Sequence, residues 1–300
     1  MSNYHIPVLA SESIEALDIK PNGTYVDATF GGGGHSKLIL EKLDKGQLIA
    51  FDMDSDAAKN IPDDERLLFV NHNYGYIKQF LDYLNIDSVD GILADLGISS
   101  YQIDTPERGF AHRFEGVVDM RMNIDNNISA KTLLNEYSEE SLTHILREYG
   151  ELPNAKRIAH SICLAREIKP IETTTDLTEI LKEFEKPGKQ GQFRSQVFQA
   201  LRIEVNQELE GLKNLLINGC NKLKKNGRFV IISYHSLEDR LVKNFFKAGN
   251  FEGNIEKDFY GVANTPLKPL SGKSIIPGVE ETKANNRARS AKMRVGIKVS

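Results

Sequence analysis

The first hundred residues alternate short apolar runs with amphipathic stretches, the pattern left by βαβ units around a parallel sheet. Strands are predicted over Thr24–Phe30, Gln47–Asp52, Leu67–Asn71 and Gly91–Leu96, with helices between them over Ser36–Leu43, Ser55–Asn60 and Tyr76–Leu84. Past Leu96 the pattern gives way to a polar loop carrying Arg108, Gly109, Asp119 and Arg121, then to helical stretches through Phe184. An inserted helical domain is expected there, leaving through Pro187-Gly188-Lys189-Gln190-Gly191, whose Pro and Gly residues punctuate the chain. Apolar residues at Val197, Leu201, Val205, Leu209, Leu212 and Leu216 then fall on one helical face and predict one long amphipathic helix. The sheet resumes with a strand over Arg228–Ser233, a helix opening within Tyr234–Arg240 with Ser236 as N-cap, and a closing strand over Met293–Val299. The expected organisation is a sheet domain of residues 1–109 and 195–300 carrying an insertion over 110–194.

Composition narrows the class. Hydrophobic residues make up 40% of the 300, enough for a full core. The longest apolar runs, such as Phe229–Ile232 and Gly91–Ala94, fall far short of the roughly 20 residues that span a bilayer, so no membrane segment is expected. Met1–Pro7 has no basic n-region, which points to a cytoplasmic location. Cys163 and Cys220 lack neighbours at ligand spacing and read as reduced packing residues, so neither a metal nor a disulfide is implied. The net charge of −4 hides a basic tail with Lys283, Arg287, Arg289, Lys292, Arg294 and Lys298, suited to a polyanion or simply to solvent.

The candidate chemistry centres on Val26-Asp27-Ala28-Thr29-Phe30-Gly31-Gly32-Gly33-Gly34-His35, a strand that runs into four glycines and then a helix. Glycines let a backbone approach a ligand closely, and helix N-termini offer unpaired N–H groups. Asp52 ends the next strand, where an acid accepts hydrogen bonds from ribose hydroxyls. Tyr74, after the third strand, is placed to stack on adenine or to fill core. Asp95, ending the fourth strand, is placed to hold a cofactor amino group or a target base, or else to cap its loop. The loop lacks a clean Gly-x-Gly-x-x-Gly and Asp27 precedes it, an arrangement common among S-adenosylmethionine (AdoMet) methyltransferases. A nicotinamide oxidoreductase shares the loop and the ribose acid, and remains the enzymatic alternative.

Along its whole length the chain resembles the bacterial 16S rRNA (cytosine-N(4))-methyltransferase H family. The resemblance rests on His5–Leu9, Asp27–Ser36, Asp90–Gln102, Arg108-Gly109-Phe110, Asp119–Met122, Tyr149-Gly150-Glu151, Ser233–Arg240 and Asn286–Ser290. Tyr234 stands where the family usually has Phe, and Tyr101 where it often has Pro. The resemblance implies an α/β, Rossmann-like AdoMet-dependent methyltransferase sheet with an inserted helical substrate-recognition domain. It implies an AdoMet pocket built from Gly33, Gly34, His35, Asp52, Tyr74, Asp95 and Gln102. The implied substrate is a cytidine in the decoding region of 16S rRNA within the small ribosomal subunit, and a homodimer is left open.

Transfer to an exocyclic amine needs alignment, desolvation and an acceptor for the amine protons. Asp95, Asp119 and His235 are the candidates near that amine, although each has an alternative reading as a loop-fixing group. The Pro-Pro-aromatic segment common in amino-methyltransferases is missing; Ser99 and Ser100 occupy that neighbourhood. Arg108, Arg113, Arg121, Arg194, Arg287 and Arg289 are candidate RNA contacts. A non-catalytic RNA-binding protein on the same fold is the alternative from another class.

Overall fold

The computed structural model describes residues 7–257, 259–261 and 265–299. His5 and Ile6 of the motifs named above, most of the N-terminal Met1–Pro7 segment and the final Ser300 lie outside the described residues.

The chain divides into two compact units, residues 1–97 with 209–300, and residues 98–208. In the first, α1 (Ala10–Leu17) precedes β1 (Thr24–Asp27), α2 (Gly34–Leu40), β2 (Gln47–Phe51), β3 (Leu67–Val70), α3 (Ile77–Tyr83) and β4 (Val89–Asp95). The second holds α4 (Ser100–Asp104), α5 (Ala130–Glu136), α6 (Glu139–Glu148), α7 (Ala155–Ile168), α8 (Thr174–Leu181) and α9 (Gln190–Asn206). The chain then continues through α10 (Glu208–Lys222), β5 (Leu223–Ser233), α11 (Ser236–Ala248), β6 (Leu267–Pro269), α12 (Val279–Ala284) and β7 (Lys292–Lys298).

Among the described residues one seven-stranded sheet runs in the order β3-β2-β1-β4-β5-β7-β6. The strands from β3 to β5 are parallel neighbours, while β7 pairs antiparallel with both β5 and β6. The mixed α/β, Rossmann-like sheet with an inserted helical unit is the expected fold. Alternation along the strands sends Val26, Ile49, Ile92, Phe229 and Ile231 to one face, where α3, α10 and α11 supply Leu81, Leu212, Leu216, Val242 and Phe245. Tyr25, Leu48, Leu93, Val230 and Ile232 go to the other face, against Leu17 of α1 and Ile39 of α2. Both faces are therefore buried, and a large-to-small change at Phe229 costs about 3–5 kcal/mol.

In the second unit α9 packs on α5 and α6, α7 packs on α5, α6 and α8, and Leu133, Leu146, Ile158 and Leu201 are fully buried. The contacts of α9 with α5 and α6 keep residues 195–206 with the inserted unit, whose limits are 98 and 208 where the sequence pattern suggested 110 and 194. The single long helix expected through Val197–Leu216 is two helices: Gln207 adopts φ +50°, ending α9 before α10 begins. The stretch Ser55–Asn60 is a 3₁₀ helix capped by Asp54, whose side chain accepts from Asp56 N–H. Among the described residues no helix is long and apolar enough to cross a membrane.

Candidate functional site

β1 and β4 are neighbours from which strand order runs outward in both directions, and a doubly wound sheet opens a crevice outside the carboxyl ends of such a pair. Asp27 ends β1, Asp95 ends β4 and Asp52 follows β2, so chain topology brings three acids to one edge of the sheet.

The glycine loop lies over that edge. Gly31 and Gly33 adopt φ +51° and +76°, the left-handed region that side chains resist, and a Cβ on Gly31 or Gly32 would meet nothing within 4 Å. The loop thus presents bare backbone to open space, the kind of cradle a nucleoside cofactor needs. Gly34 serves packing: a Cβ there would lie 3.1 Å from the Pro7 ring, at the edge of a cavity of about 760 Å³ between α1 and α2.

Asp52 ties the loop to β2, its Oδ2 accepting from Gly31 N–H at 2.7 Å and its Oδ1 from Asp54 N–H at 2.8 Å. Burial pushes its carboxyl up to about 6 in spite of those two donors. Asp27 is fully buried and accepts from Ser36 Oγ at 2.6 Å and Thr29 N–H at 3.1 Å, and burial raises its carboxyl as well.

Asp95 is held at its backbone and by the residue that follows β5. Its N–H donates to Thr29 Oγ1 at 2.6 Å, and Tyr234 O–H donates to its Oδ1 at 2.7 Å. Its Oδ2 lies 3.8 Å from His35 Nδ1. His35 is buried with Nε2 3.1 Å from Val8 O, and because a carbonyl only accepts, Nε2 carries the hydrogen. Burial raises the Asp95 carboxyl to about 6, with His35 and the Tyr234 hydrogen bond opposing that rise.

Tyr74 opens a 3₁₀ turn over Tyr74–Tyr76 that Asn73 caps by accepting from Gly75 N–H at 2.7 Å. The ring is half-buried against the apolar layer that includes Val70 and Ile77. His235, not Ser236, is the N-cap of α11: its Nδ1 faces Glu238 N–H at 3.5 Å, and Glu238 returns the bond to the backbone. His235 Nε2 lies 3.1 Å from Glu238 Oε1 without hydrogen-bond geometry.

Residues 2–299 match the profile of the MraW methylase family. The chain belongs to that family. A ribosomal RNA small subunit methyltransferase H from Flavobacterium johnsoniae is 52% identical over 297 residues, covering 99% of this chain and 98% of its own length. Its namesake in Cytophaga hutchinsonii is 52% identical over 294 residues, covering 97% and 98%. A solved rRNA methylase from Streptococcus thermophilus aligns with TM-score 0.40 and 12% identity, covering 97% of this chain and 94% of that one.

In this family member the sheet unit gathers Gly33, His35, Asp52, Asp95 and His235 of the expected site, with Tyr74 at the neighbouring strand end. Gln102, Arg108, Arg113, Asp119, Arg121 and Arg194 belong to the helical unit. There Gln102 is buried in a capping box, its Oε1 accepting from Ser99 N–H at 3.0 Å. Asp119 and Arg121 grip each other at 2.8–3.2 Å, and Arg121 also donates to the carbonyls of Ile124 and Asn126 at 2.7 Å. Arg108 donates to the carbonyls of Arg121 and Met122, and Asn206 accepts from Met122 N–H at 2.7 Å. The loop carrying Asp119 is therefore a braced structure. Arg194 pairs with Glu185 at 2.5 Å, Arg113 with Asp104 at 3.0 Å, while Arg289 is exposed in the short 3₁₀ turn Asn286–Ser290 that also holds the half-buried Arg287. Sequence reasoning missed Thr29 as a support of Asp95 and gave the Tyr234 hydroxyl no part. Their signals, a Thr two residues past a buried acid and a Tyr in place of Phe, acquire meaning only when β1, β4 and β5 lie side by side.

Proposed function

We propose that the crevice at the ends of β1, β2 and β4 binds AdoMet and that the protein transfers its methyl group to the exocyclic N(4) amine of a cytidine in the decoding region of 16S rRNA in the small ribosomal subunit. The observation that carries this reading is the open glycine cradle at Gly31 and Gly32 flanked by Asp52 and Asp95, within a chain whose relatives named above are ribosomal RNA small subunit methyltransferases H. When bound, AdoMet supplies an electrophilic methyl on a sulfonium.

Asp52 offers the ribose its carboxylate once the Gly31 N–H is shared, and Tyr74 supplies a ring face for adenine. Gly33, Gly34 and His35 shape the loop beside it, and Gln102 holds the turn that follows β4 by its capping box. The amine of cytosine is a weak nucleophile because its lone pair is spread into the ring. Asp95 would accept from its N–H groups, which frees that pair, and would take the proton that the nitrogen gives up on methylation. Asp119 fixes Arg121 within the helical unit, and His235 fixes the start of α11. The helical unit, with Arg108, Arg113, Arg121 and Arg194, and Arg287 and Arg289 of the C-terminal segment serve the RNA backbone and bases.

The test is methyl transfer from labelled AdoMet to small subunits lacking the modification, followed by nucleoside mass spectrometry. The label is expected in N(4)-methylcytidine; label in another nucleoside, or none in RNA, refutes the assignment.

A further inference from the structure

Tyr234 stands directly after β5, and both its ends are fixed. Its N–H donates to Glu238 Oε2 at 2.9 Å and its hydroxyl to Asp95 Oδ1 at 2.7 Å, with the ring packed on the apolar layer that includes Val230 and Ile232. A carboxylate offers about four lone-pair sites. Tyr234 takes one on Oδ1 and His35 faces Oδ2 at 3.8 Å, so each oxygen keeps a site for whatever enters the crevice. Without the hydroxyl nothing among the described side chains donates to Oδ1, and the carboxylate is left to turn about its terminal bond, whose rotational wells are broad.

We propose that Tyr234 is a positioning residue, whose hydroxyl holds the Asp95 carboxylate ionised and oriented so that its remaining lone pairs meet the target amine. The proposal rests on the reading above in which Asp95 receives the amine protons. The charged groups facing Asp95 come from four elements. His35 from the start of α2 and Tyr234 after β5 favour its ionised form, while Asp27 of β1 and Glu238 of α11 oppose it. Burial already brings the carboxyl to about 6 with the Tyr234 bond in place, and removing that bond moves it further up.

Tyr234→Phe deletes one oxygen and keeps the ring. The acid limb of kcat/KM for methyl transfer is expected to move to higher pH by roughly one unit, the loss of one charge-assisted hydrogen bond, with kcat falling while KM for the RNA is unchanged. The Asp95 carboxyl carbon, followed by carbon-13 NMR and identified by its absence in Asp95→Asn, is expected to titrate higher by the same amount. Site-specific 3-fluorotyrosine at 234, a stronger donor, is expected to move both readings the opposite way, and it tests the proposal even if Tyr234→Phe folds poorly. Superimposable pH profiles and carboxyl titrations in all three proteins overturn the proposal. So does a uniform loss of rate with a lower melting temperature and an unmoved acid limb, which reduces Tyr234 to packing. The carboxyl titration needs no RNA, so a parent protein that transfers no methyl refutes the proposed function, while the coupling of Tyr234 to Asp95 is still read separately.

Discussion

Replacing Asp95 by Asn is expected to make the protein more stable at neutral pH while disabling methyl transfer. Burial holds this carboxyl at about 6 against an ordinary 3.8. That displacement corresponds to about 3 kcal/mol stored in the folded state, each pH unit being worth about 1.36 kcal/mol. The side chain is 22% exposed, which lets water screen part of the charge and leaves about 1–2 kcal/mol. The sign follows from proton linkage. Below pH 3.8 the group is neutral in both folded and unfolded chains and the cost is absent; it grows as pH rises and is complete above about 6. Asn keeps the shape of the side chain and an oxygen for the Tyr234 hydroxyl, so the variant loses the charge and little else. Urea unfolding followed by circular dichroism suits a chain with no tryptophan. The variant should exceed the parent by about 1–2 kcal/mol at pH 7.5 and match it near pH 4, with transfer reduced roughly 10²–10⁴-fold. A variant less stable at pH 7.5, or a gain that does not change with pH, refutes the idea that Asp95 is kept charged against its surroundings.

Asp52→Ala removes the ribose acceptor and the carboxylate that holds the Gly31 and Asp54 N–H groups, so AdoMet affinity should fall by about 10–100-fold in calorimetry. With Asp52 intact, affinity should weaken from pH 7.5 to 5.5 as its carboxyl, pushed up to about 6, takes a proton; constant affinity across that range contradicts the assignment. Gly32→Ala places a methyl in open space and should spare the melting temperature while weakening the cofactor, whereas Gly34→Ala drives a methyl against Pro7 and should lower the melting temperature by several degrees. Equal effects of the two changes on both readouts would mean that the cradle is only a turn.

The alternation of Val26, Ile49 and Ile92 against Tyr25, Leu48 and Leu93 made the strands legible from sequence, since both sheet faces demand apolar side chains. The acids at the strand ends were legible for the same reason: a βαβ chain delivers the residue after each strand to one edge. What sequence concealed was set by single backbone angles and cross-strand neighbours. Periodicity continues unbroken through Val205 and Leu209, so nothing in the apolar pattern marks the left-handed turn at Gln207 that separates α9 from α10. Ser236 looks like a cap by type, yet His235 has the extended backbone an N-cap requires and Ser236 is already helical. The bracing of Asp119 by Arg121, two positions on, is local and could have been read from spacing; the pairing of Asp95 with Tyr234, 139 residues on, could not.

The central claim is that the edge of β1, β2 and β4 is built for a sulfonium nucleoside. Isothermal titration of the intact chain with AdoMet and, separately, with NAD addresses it most directly. Saturable one-to-one binding of AdoMet, weakened in Gly32→Ala and Asp52→Ala, with no heat from NAD, is the expected result. Binding of NAD in place of AdoMet, or AdoMet binding untouched by either substitution, would contradict it.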